Sequence, residues 1–416
     1  MKLLTQEYKE HWSTVSKVLF RVVSTYFLLY TFFTIFGVLF ETPFRAIGTS
    51  IFNIDYEYAV SGKGSGDHTY AYLTLFVSVV FTVILASVWS VLDIKRKSYN
   101  MFFYWFLVFL RVALIASMFL YGFVKIFKLQ FPAASLTRLL DPLGDFSPMG
   151  LAWTYMGFSK GFNVFVGFME VLGALLLIPR RTQTIGSFII IGVMTQVAMM
   201  NFCYDIPVKL FSIHLIVMAL IIFITDHRFI DVFIKNKAVE KYKYFRPVEN
   251  PQYHKIVFWI KSVGLFFLIA FISFNFYTTE RHRGEARKKP LLYGIWKASS
   301  FIKNGDTLQP LITDTYRWRY LIVDLKDKAT VKTMDNLKHQ YVFITDSTTQ
   351  KIKMYKDEAD ALDFNFSYKN PNPAFLQLDG KIENDSLQIF FSRIDHEKFN
   401  LNSRGFHWIN ERPFNK

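Results

Sequence analysis

The stretch from Tyr121 to Ser212 decides the fold. Its four segments are YGFVKIFKLQFP (residues 121–132), LLDPLGDFSPMGLAWTYMGFS (139–159), FVGFMEVLGALLLIPRRTQTIGSF (165–188) and VAMMNFCYDIPVKLFS (197–212). Most of these residues are apolar, but ionisable and amide side chains interrupt them. Among them are Lys125, Glu170, Asn201, Asp205 and Lys209, with Arg111 just upstream. Because a charged side chain is costly in hydrocarbon, we expect these groups to face the interior of a helix bundle or a cavity.

The composition places the chain in the membrane class. Of its 416 residues, 52% are hydrophobic and 18% aromatic, and the formal net charge is +15. The basic residues flank apolar runs, which favours cytoplasmic loops against anionic lipid and argues against nucleic acid as a partner. The single cysteine, Cys203, excludes an intrachain disulfide, a C-x-x-C redox pair and a thiolate metal site. We therefore predict no metal.

Seven apolar runs approach the length of about 20 residues that a membrane-spanning helix needs. They cover residues 18–40, 71–92, 101–127, 162–178, 185–202, 210–225 and 256–277. The predicted fold class is therefore an α-helical polytopic membrane protein. A polar segment lies between the first and second runs. The residues between the third and fourth runs are expected to form a long loop that does not cross the lipid, because its backbone groups would go unsatisfied there.

The positively charged loops predict the orientation. Basic residues cluster on one side of the predicted spans: Lys95, Arg96, Lys97, Arg180, Arg181, Arg228, Lys235, Lys237, Lys241 and Lys243. The positive-inside rule places this side, together with the N-terminus, in the cytoplasm. Seven spans then place the C-terminal domain outside the cytoplasm, although five basic residues between Arg281 and Lys289 oppose this orientation. The predicted location is a bacterial cytoplasmic (inner) membrane.

Residues 290–416 have a different pattern, typical of antiparallel strands. Short alternating runs such as TYRWRYLIVDL (315–325), HQYVFITD (339–346) and SLQIFF (386–391) are separated by turn signals. About eight strands in such a length favour a small closed barrel or a sandwich. The start, Gly294-Ile295-Trp296, resembles the G-x-W of lipocalin-like barrels, in which a late arginine covers the tryptophan. Arg404 is the predicted counterpart.

The central stretch resembles the DoxX family of bacterial membrane proteins. The matching residues, in order, are Tyr121-Gly122, Lys125, Gly167, Glu170, Gly173, Arg180-Arg181, Asn201, Tyr204-Asp205, Pro207 and Lys209. The resemblance implies a four-helix core and, in the longer variants, extra helices and an extracytoplasmic tail. Together these features predict a two-helix segment (1–100), a DoxX-like core (101–230), a basic cytoplasmic linker (231–255), a seventh span (256–278) and a β domain (290–416).

The polar residues of the core are the candidate ligand-binding site. Glu170 lies in the middle of a predicted helix, and Asn163, seven residues earlier, shares its face. Glu170 is predicted either to bind a ligand or to form an ion pair with Arg111 or Lys125. These two cations lie fourteen residues apart on one helix face, an arrangement that suits an anionic head group or a quinone carbonyl.

A second polar group lies at the predicted hairpin between the fifth and sixth runs. Asn201 and Asp205 share one helix face, and Lys209 begins the next helix. They predict either a salt bridge that closes the hairpin or part of a polar pocket with Lys125. His214, within an apolar run, is predicted to be a hydrogen-bonded packing residue, because a b-type haem normally needs a second histidine.

Three functions remain open. The resemblance implies a subunit or accessory factor of a membrane redox system, with a quinone or lipid ligand and a redox-complex protein as partner. The alternatives are a transporter or lipid-handling protein, whose barrel collects a hydrophobic cargo, and a structural anchor for an extracytoplasmic partner. The chain has no Gly-rich dinucleotide loop or nucleophile motif, which argues against a self-contained enzyme.

Overall fold

The structure is a computed structural model that describes residues 4, 6, 8–61, 64–238, 245, 247–356, 363–382 and 384–415. It divides into two compact units, each described by itself below. The helical unit comprises Met1–Pro132 and Ser147–Glu280, and the β unit comprises Ala133–Phe146 and Arg281–Lys416. Lys241 and Lys243, two of the cations that predicted the orientation, lie outside the described residues.

Nine α-helices precede the strands in the described part of the chain. They are α1 (Thr14–Phe36), α2 (Glu41–Phe52), α3 (Thr69–Leu92), α4 (Asn100–Ile126), α5 (Pro148–Phe158), α6 (Lys160–Leu177), α7 (Gln183–Cys203), α8 (Lys209–Thr225) and α9 (Pro251–Arg283). Six described helical segments are long and apolar enough to cross a membrane, the first being α1 and α2 joined by a 3₁₀ turn. The predicted sixth run coincides with α8, which has only 17 residues. The helices indicate a membrane protein.

Two helices lie outside the predicted apolar runs: α2 lies in the polar segment after the first run, and α5 lies in the segment that was expected to be a long loop. Glu41 and Arg45 form an ion pair of 2.8 Å within α2, and Asn53 ends the helix in the left-handed conformation. Ser147 begins α5 by accepting a hydrogen bond from the Gly150 amide, with Pro148 in the first turn. Serine at the N-cap followed by proline is a strong start signal for a helix. The prediction of a long loop was therefore wrong for the residues of α5.

The core of the helical unit lies where α4, α6, α7 and α8 pack in a ring, α4 on α6, α6 on α7, α7 on α8 and α8 on α4. Glycines bring the backbones close at two of these contacts. A Cβ added to Gly167 would lie 2.5 Å from the carbonyl oxygen of Gly122, and one added to Gly186 would lie 2.9 Å from that of Gly173. Small residues at helix contacts are typical of membrane bundles.

The β unit contains a closed antiparallel barrel, which confirms the predicted β domain. Its strands are β1 (Gly294–Lys303), β2 (Asp306–Thr307), β3 (Trp318–Leu325), β4 (Lys328–Thr333), β5 (Lys338–Asp346), β6 (Lys351–Tyr355), β7 (Asp363–Asn372), β8 (Phe375–Ile382) and β9 (Asp385–Ile394). Eight strands form the barrel in sequence order, and β1 closes it by pairing with both β3 and β9. The two-residue β2 pairs only with the end of β1. A short helix, α10 (Asn400–Ser403), follows.

Arg393, and not Arg404, covers the tryptophan of the G-x-W start. Arg393 lies directly opposite Trp296 in the β1–β9 register, with its guanidinium carbon 5.9 Å from the ring centroid. Arg404 instead lies over the ring of Phe414. The prediction of Arg404 was wrong because the chain continues for several residues after β9, so the last arginines are not on a strand.

The segment Ala133–Phe146 packs on the barrel, although it lies between two helices in the sequence. Leu136 is buried with Ile295 and Ile322. Lys332 and Lys338 lie directly opposite each other on β4 and β5, and such like-charge pairs are destabilising. Asp141 lies 2.6 Å from the Lys338 ammonium and 3.6 Å from that of Lys332, and so compensates both charges.

Candidate functional site

Lys125 and Glu170 form a buried ion pair within the helical unit. The ammonium of Lys125 lies 2.9 Å and 3.0 Å from the two carboxylate oxygens, and only 6% and 1% of the two side chains are exposed. The glycine contact between α4 and α6 lies one helical turn before Lys125 and brings the two backbones together. Of the two cations predicted as partners for Glu170, Lys125 is the one observed.

The ion pair lines a cavity between α4, α6, α7 and α8, called here the ion-pair cavity, with a volume of about 80 Å³. Its walls are mainly apolar: Phe131, Trp153, Met156, Val166, Met194, Val197, Met200, Ile206, Val208, Phe211 and Leu215. A dry cavity of about 150 Å³ can hold benzene. The enclosed part of this cavity is smaller, so it fits only the end of a ligand. Exposed Gln196 also lines it, so the cavity reaches the surface of the unit.

Five polar side chains accompany the ion pair in the cavity wall: Tyr121, Gln130, Gln196, Asn201 and Ser212. Asn201 donates hydrogen bonds to Ser212 Oγ at 3.2 Å and to the Val208 carbonyl at 3.3 Å. The Oε1 atom of Gln130 is buried and has no hydrogen-bond partner in the described part of the chain. A buried acceptor without a partner is costly, which makes Gln130 a contact point for a water molecule or a ligand donor.

The other predicted site residues do not line this cavity. Arg111 donates to the carbonyl oxygens of Leu177 and Ile178, at the C-terminal end of α6. Asn163 is buried on α6 and donates hydrogen bonds to the Met156 and Ser159 carbonyls, while its Oδ1 atom has no hydrogen-bond partner among the residues that the structure describes.

Lys209 and Asp205 form the predicted hairpin salt bridge, at 3.1 Å, with 86% of the Asp205 side chain exposed. Asp67, in the turn before α3, accepts hydrogen bonds from the backbone amides of Lys209 and Leu210 at 2.7 and 3.0 Å. This carboxylate satisfies free amides at the start of α8 from a distant part of the chain. This role of Asp67 was not predicted, because nothing in the sequence around it shows which helix it caps.

His214 is the predicted packing residue. Its Nδ1 lies 2.7 Å from the Leu210 carbonyl oxygen, its Nε2 lies 2.6 Å from the Tyr26 hydroxyl, and its ring stacks on Tyr30 with centroids 3.8 Å apart. Both ring nitrogens therefore have hydrogen-bond partners, and the prediction is confirmed.

Comparison with known proteins gives one informative relative. No protein-family model matches the sequence, and no solved structure matches it. The chain is 33% identical to the uncharacterized protein YwoB of Bacillus subtilis (strain 168) over 118 residues, which are 28% of this chain and 75% of that protein. The chain therefore belongs to the same family as YwoB.

Proposed function

We propose that this protein binds the polar end of a lipophilic, quinone-like ligand in the ion-pair cavity, as a subunit or accessory factor of a membrane redox system. The observation that carries the proposal is the burial of Lys125 and Glu170 at the wall of a mainly apolar cavity. Burying two charges has a desolvation cost that their attraction often fails to recover. Ionisable residues inside a membrane bundle are functional candidates for this reason.

The chemistry of the pair suits such a ligand. An ammonium donates a hydrogen bond to a quinone carbonyl, and a carboxylate accepts one from a quinol hydroxyl. The ion pair therefore suits both the oxidised and the reduced form of such a ligand. The small enclosed volume suits a head group whose apolar tail extends into the bilayer. The resemblance to DoxX proteins is consistent with this function, and a DoxX-like four-helix core is part of the proposal.

We further propose a bacterial cytoplasmic membrane, with the N-terminus in the cytoplasm and the β domain outside it. The basic loops support this orientation. The relative from Bacillus subtilis supports a bacterial origin.

Native mass spectrometry of the protein, extracted gently from its own membrane, tests the ligand. We expect a bound quinone or lipid that Glu170→Gln removes. Asp205→Asn is the matched control, because it changes an exposed carboxylate of another ion pair. A wild-type protein without such a ligand, and with the same affinity for added quinone as Glu170→Gln, would contradict the proposal.

Of the two alternatives, the anchor has more support. The barrel is filled by its own buried side chains, among them Trp296, Phe301, Leu321, Met354, Phe366, Leu378, Ile389 and Phe391, which weighs against a hydrophobic cargo inside it. After the barrel, Phe406, Trp408 and Ile409 are 77%, 90% and 78% exposed. Exposed apolar groups of this kind mark interaction sites. Binding of a protein partner that depends on Trp408, without any small ligand, would favour the anchor.

A further inference from the structure

A second cavity of about 260 Å³ adjoins the ion-pair cavity in the helical unit. We call it the His68 cavity. Residues of α1, α3 and the turn before α3 line most of it, and its polar groups include Tyr30, Thr34, His68 and Tyr70. It is larger than the ion-pair cavity and more polar, so it has room for several water molecules or a small head group.

The two cavities share three wall residues, Tyr121, Val208 and Phe211. The rings of Tyr121 and Phe211 lie next to each other, with centroids 6.0 Å apart. The Lys125 ammonium lies 5.5 Å from the centroid of the Tyr121 ring. Tyr121 therefore contacts the ion pair and also lines the second cavity, and the two aromatic rings form a partition between the cavities.

His68 gives the second cavity a hydrogen-bond acceptor. Burial lowers the pKa of His68, despite smaller raising effects of the Ala59 backbone and Asp67, so the ring is neutral at pH 7. Its Nδ1 atom is buried and has no hydrogen-bond partner among the described residues. In a neutral imidazole with its proton on Nε2, Nδ1 is an acceptor, which matches a hydroxyl donor.

We propose that the His68 cavity is a second binding site, which takes a hydroxyl-bearing head group and passes it to the ion-pair cavity through the Tyr121–Phe211 partition. This inference rests on the proposed function, since it supplies the route to that ligand site. Side-chain rotation of the two aromatic residues opens the partition without any rearrangement of the helices. In a quinol, the hydroxyl group that first donates a hydrogen bond to His68 would then donate one to Glu170.

Cysteine labelling tests the route without any natural ligand. Ser212 lines the ion-pair cavity only. Ser212→Cys is introduced into the full chain, in lipid nanodiscs, together with Cys203→Ser and with Gln196→Trp, which narrows the opening of this cavity at the surface. The probe is methyl methanethiosulfonate, and mass spectrometry measures the rate of modification. If the closed partition admits the probe only in a minor open state, Tyr121→Ala or Phe211→Ala should raise the rate about tenfold. Ala71→Phe, which fills the His68 cavity, should lower it by a similar factor.

The controls are exposed neighbours of similar size. Leu120→Ala and Phe202→Ala change residues that are 54% and 52% exposed, and should leave the rate unchanged. Phe211→Leu serves as a milder variant if Phe211→Ala does not fold. A rate that no variant at Tyr121, Phe211 or Ala71 changes would overturn the route. Because the probe is not the ligand, an absent quinone would contradict the proposed function and leave this result intact.

Discussion

Gly122 and Gly167 are in such close contact that neither position has space for a side chain. A Cβ on Gly122 would lie 2.6 Å from Val171 Cγ2, and one on Gly167 would lie 2.5 Å from the Gly122 carbonyl oxygen. This contact sets the distance between α4 and α6, and Lys125 and Glu170 lie about one turn beyond each glycine. The glycine pair therefore positions the ion pair.

Gly167→Ala should destabilise the helical unit by about 1–3 kcal/mol, because overpacking forces the two backbones apart. Thermal unfolding in detergent, followed by circular dichroism, measures the change. Gly192→Ala in α7 is the control, since a Cβ there would have no described atom within 4 Å apart from the neighbouring residues and backbone of its own helix. Equal unfolding temperatures for the two variants would show that α4 and α6 do not depend on this contact.

Lys125→Met should destabilise the protein by about 3–5 kcal/mol, because it leaves a buried carboxylate without its partner. The double variant Lys125→Met, Glu170→Met should recover most of this loss, since a buried pair can often be replaced by apolar residues at little cost. Chemical denaturation measures the free energy of unfolding of the single and the double variant. A double variant as unstable as Lys125→Met would mean that the charges stabilise the bundle, which would weaken the functional interpretation.

Arg393→Ala should destabilise the barrel by about 0.5–2 kcal/mol, because it removes a cation from the face of Trp296. It also removes a hydrogen bond of 3.0 Å to the Tyr293 carbonyl. Arg404→Ala is the control, as that side chain lies on Phe414 outside the barrel. Unfolding followed by tryptophan fluorescence compares the stabilities of the two variants. A larger loss of stability in Arg404→Ala than in Arg393→Ala would contradict the conclusion that Arg393 covers Trp296.

Acid should weaken the barrel through Asp385. Hydrogen bonds from Lys303 and Asn304 lower the pKa of Asp385, so the folded state holds the carboxylate charged. A pKa that is lower in the folded state contributes stability above the unfolded value of about 3.9, and this stability is lost as the pH falls through the folded value. Asp385→Asn should therefore reduce the loss of barrel stability below about pH 4.

Unfolding measured between pH 2 and 7 tests this effect, with Asp306→Asn as control. Asp306 is exposed on β2, directly opposite Lys303, and has no ion pair in the described part of the chain. An unchanged pH profile for Asp385→Asn would show that other carboxylates control the acid response.

Asp141→Asn should loosen the segment 133–146 from the barrel. The change leaves the buried Lys332 ammonium opposite Lys338 without a carboxylate between them. Trypsin cleavage after Arg138 in this segment should become faster, and mass spectrometry of the fragments measures it. Asp145→Asn removes an exposed carboxylate of the same segment and is the control; equal cleavage rates would show that Asp141 does not hold the segment.

The sequence predicted the elements whose signal is local. Long apolar runs located α3, α4, α6, α7 and α9, and period-two alternation located most of the strands. The partner of Glu170 was not predictable in this way. Arg111 and Lys125 lie on one face of α4, and only the register between two helices decides which of them meets the carboxylate. The cavities depend on that same register, so the residues that line them could not be predicted from the sequence either.

The discontinuous β unit has a consequence for how the protein is made. Residues 133–146 leave the ribosome long before the strands on which they pack, since α5 to α9 are synthesised in between. Until β1 and β3 exist, Leu136 has no apolar surface to bury it, and Asp141 has no lysine pair. The barrel therefore cannot complete its fold from its contiguous sequence alone. A fragment that starts at Pro290 would lack this segment, and it would be expected to expose Ile322 and to aggregate more readily than the full chain.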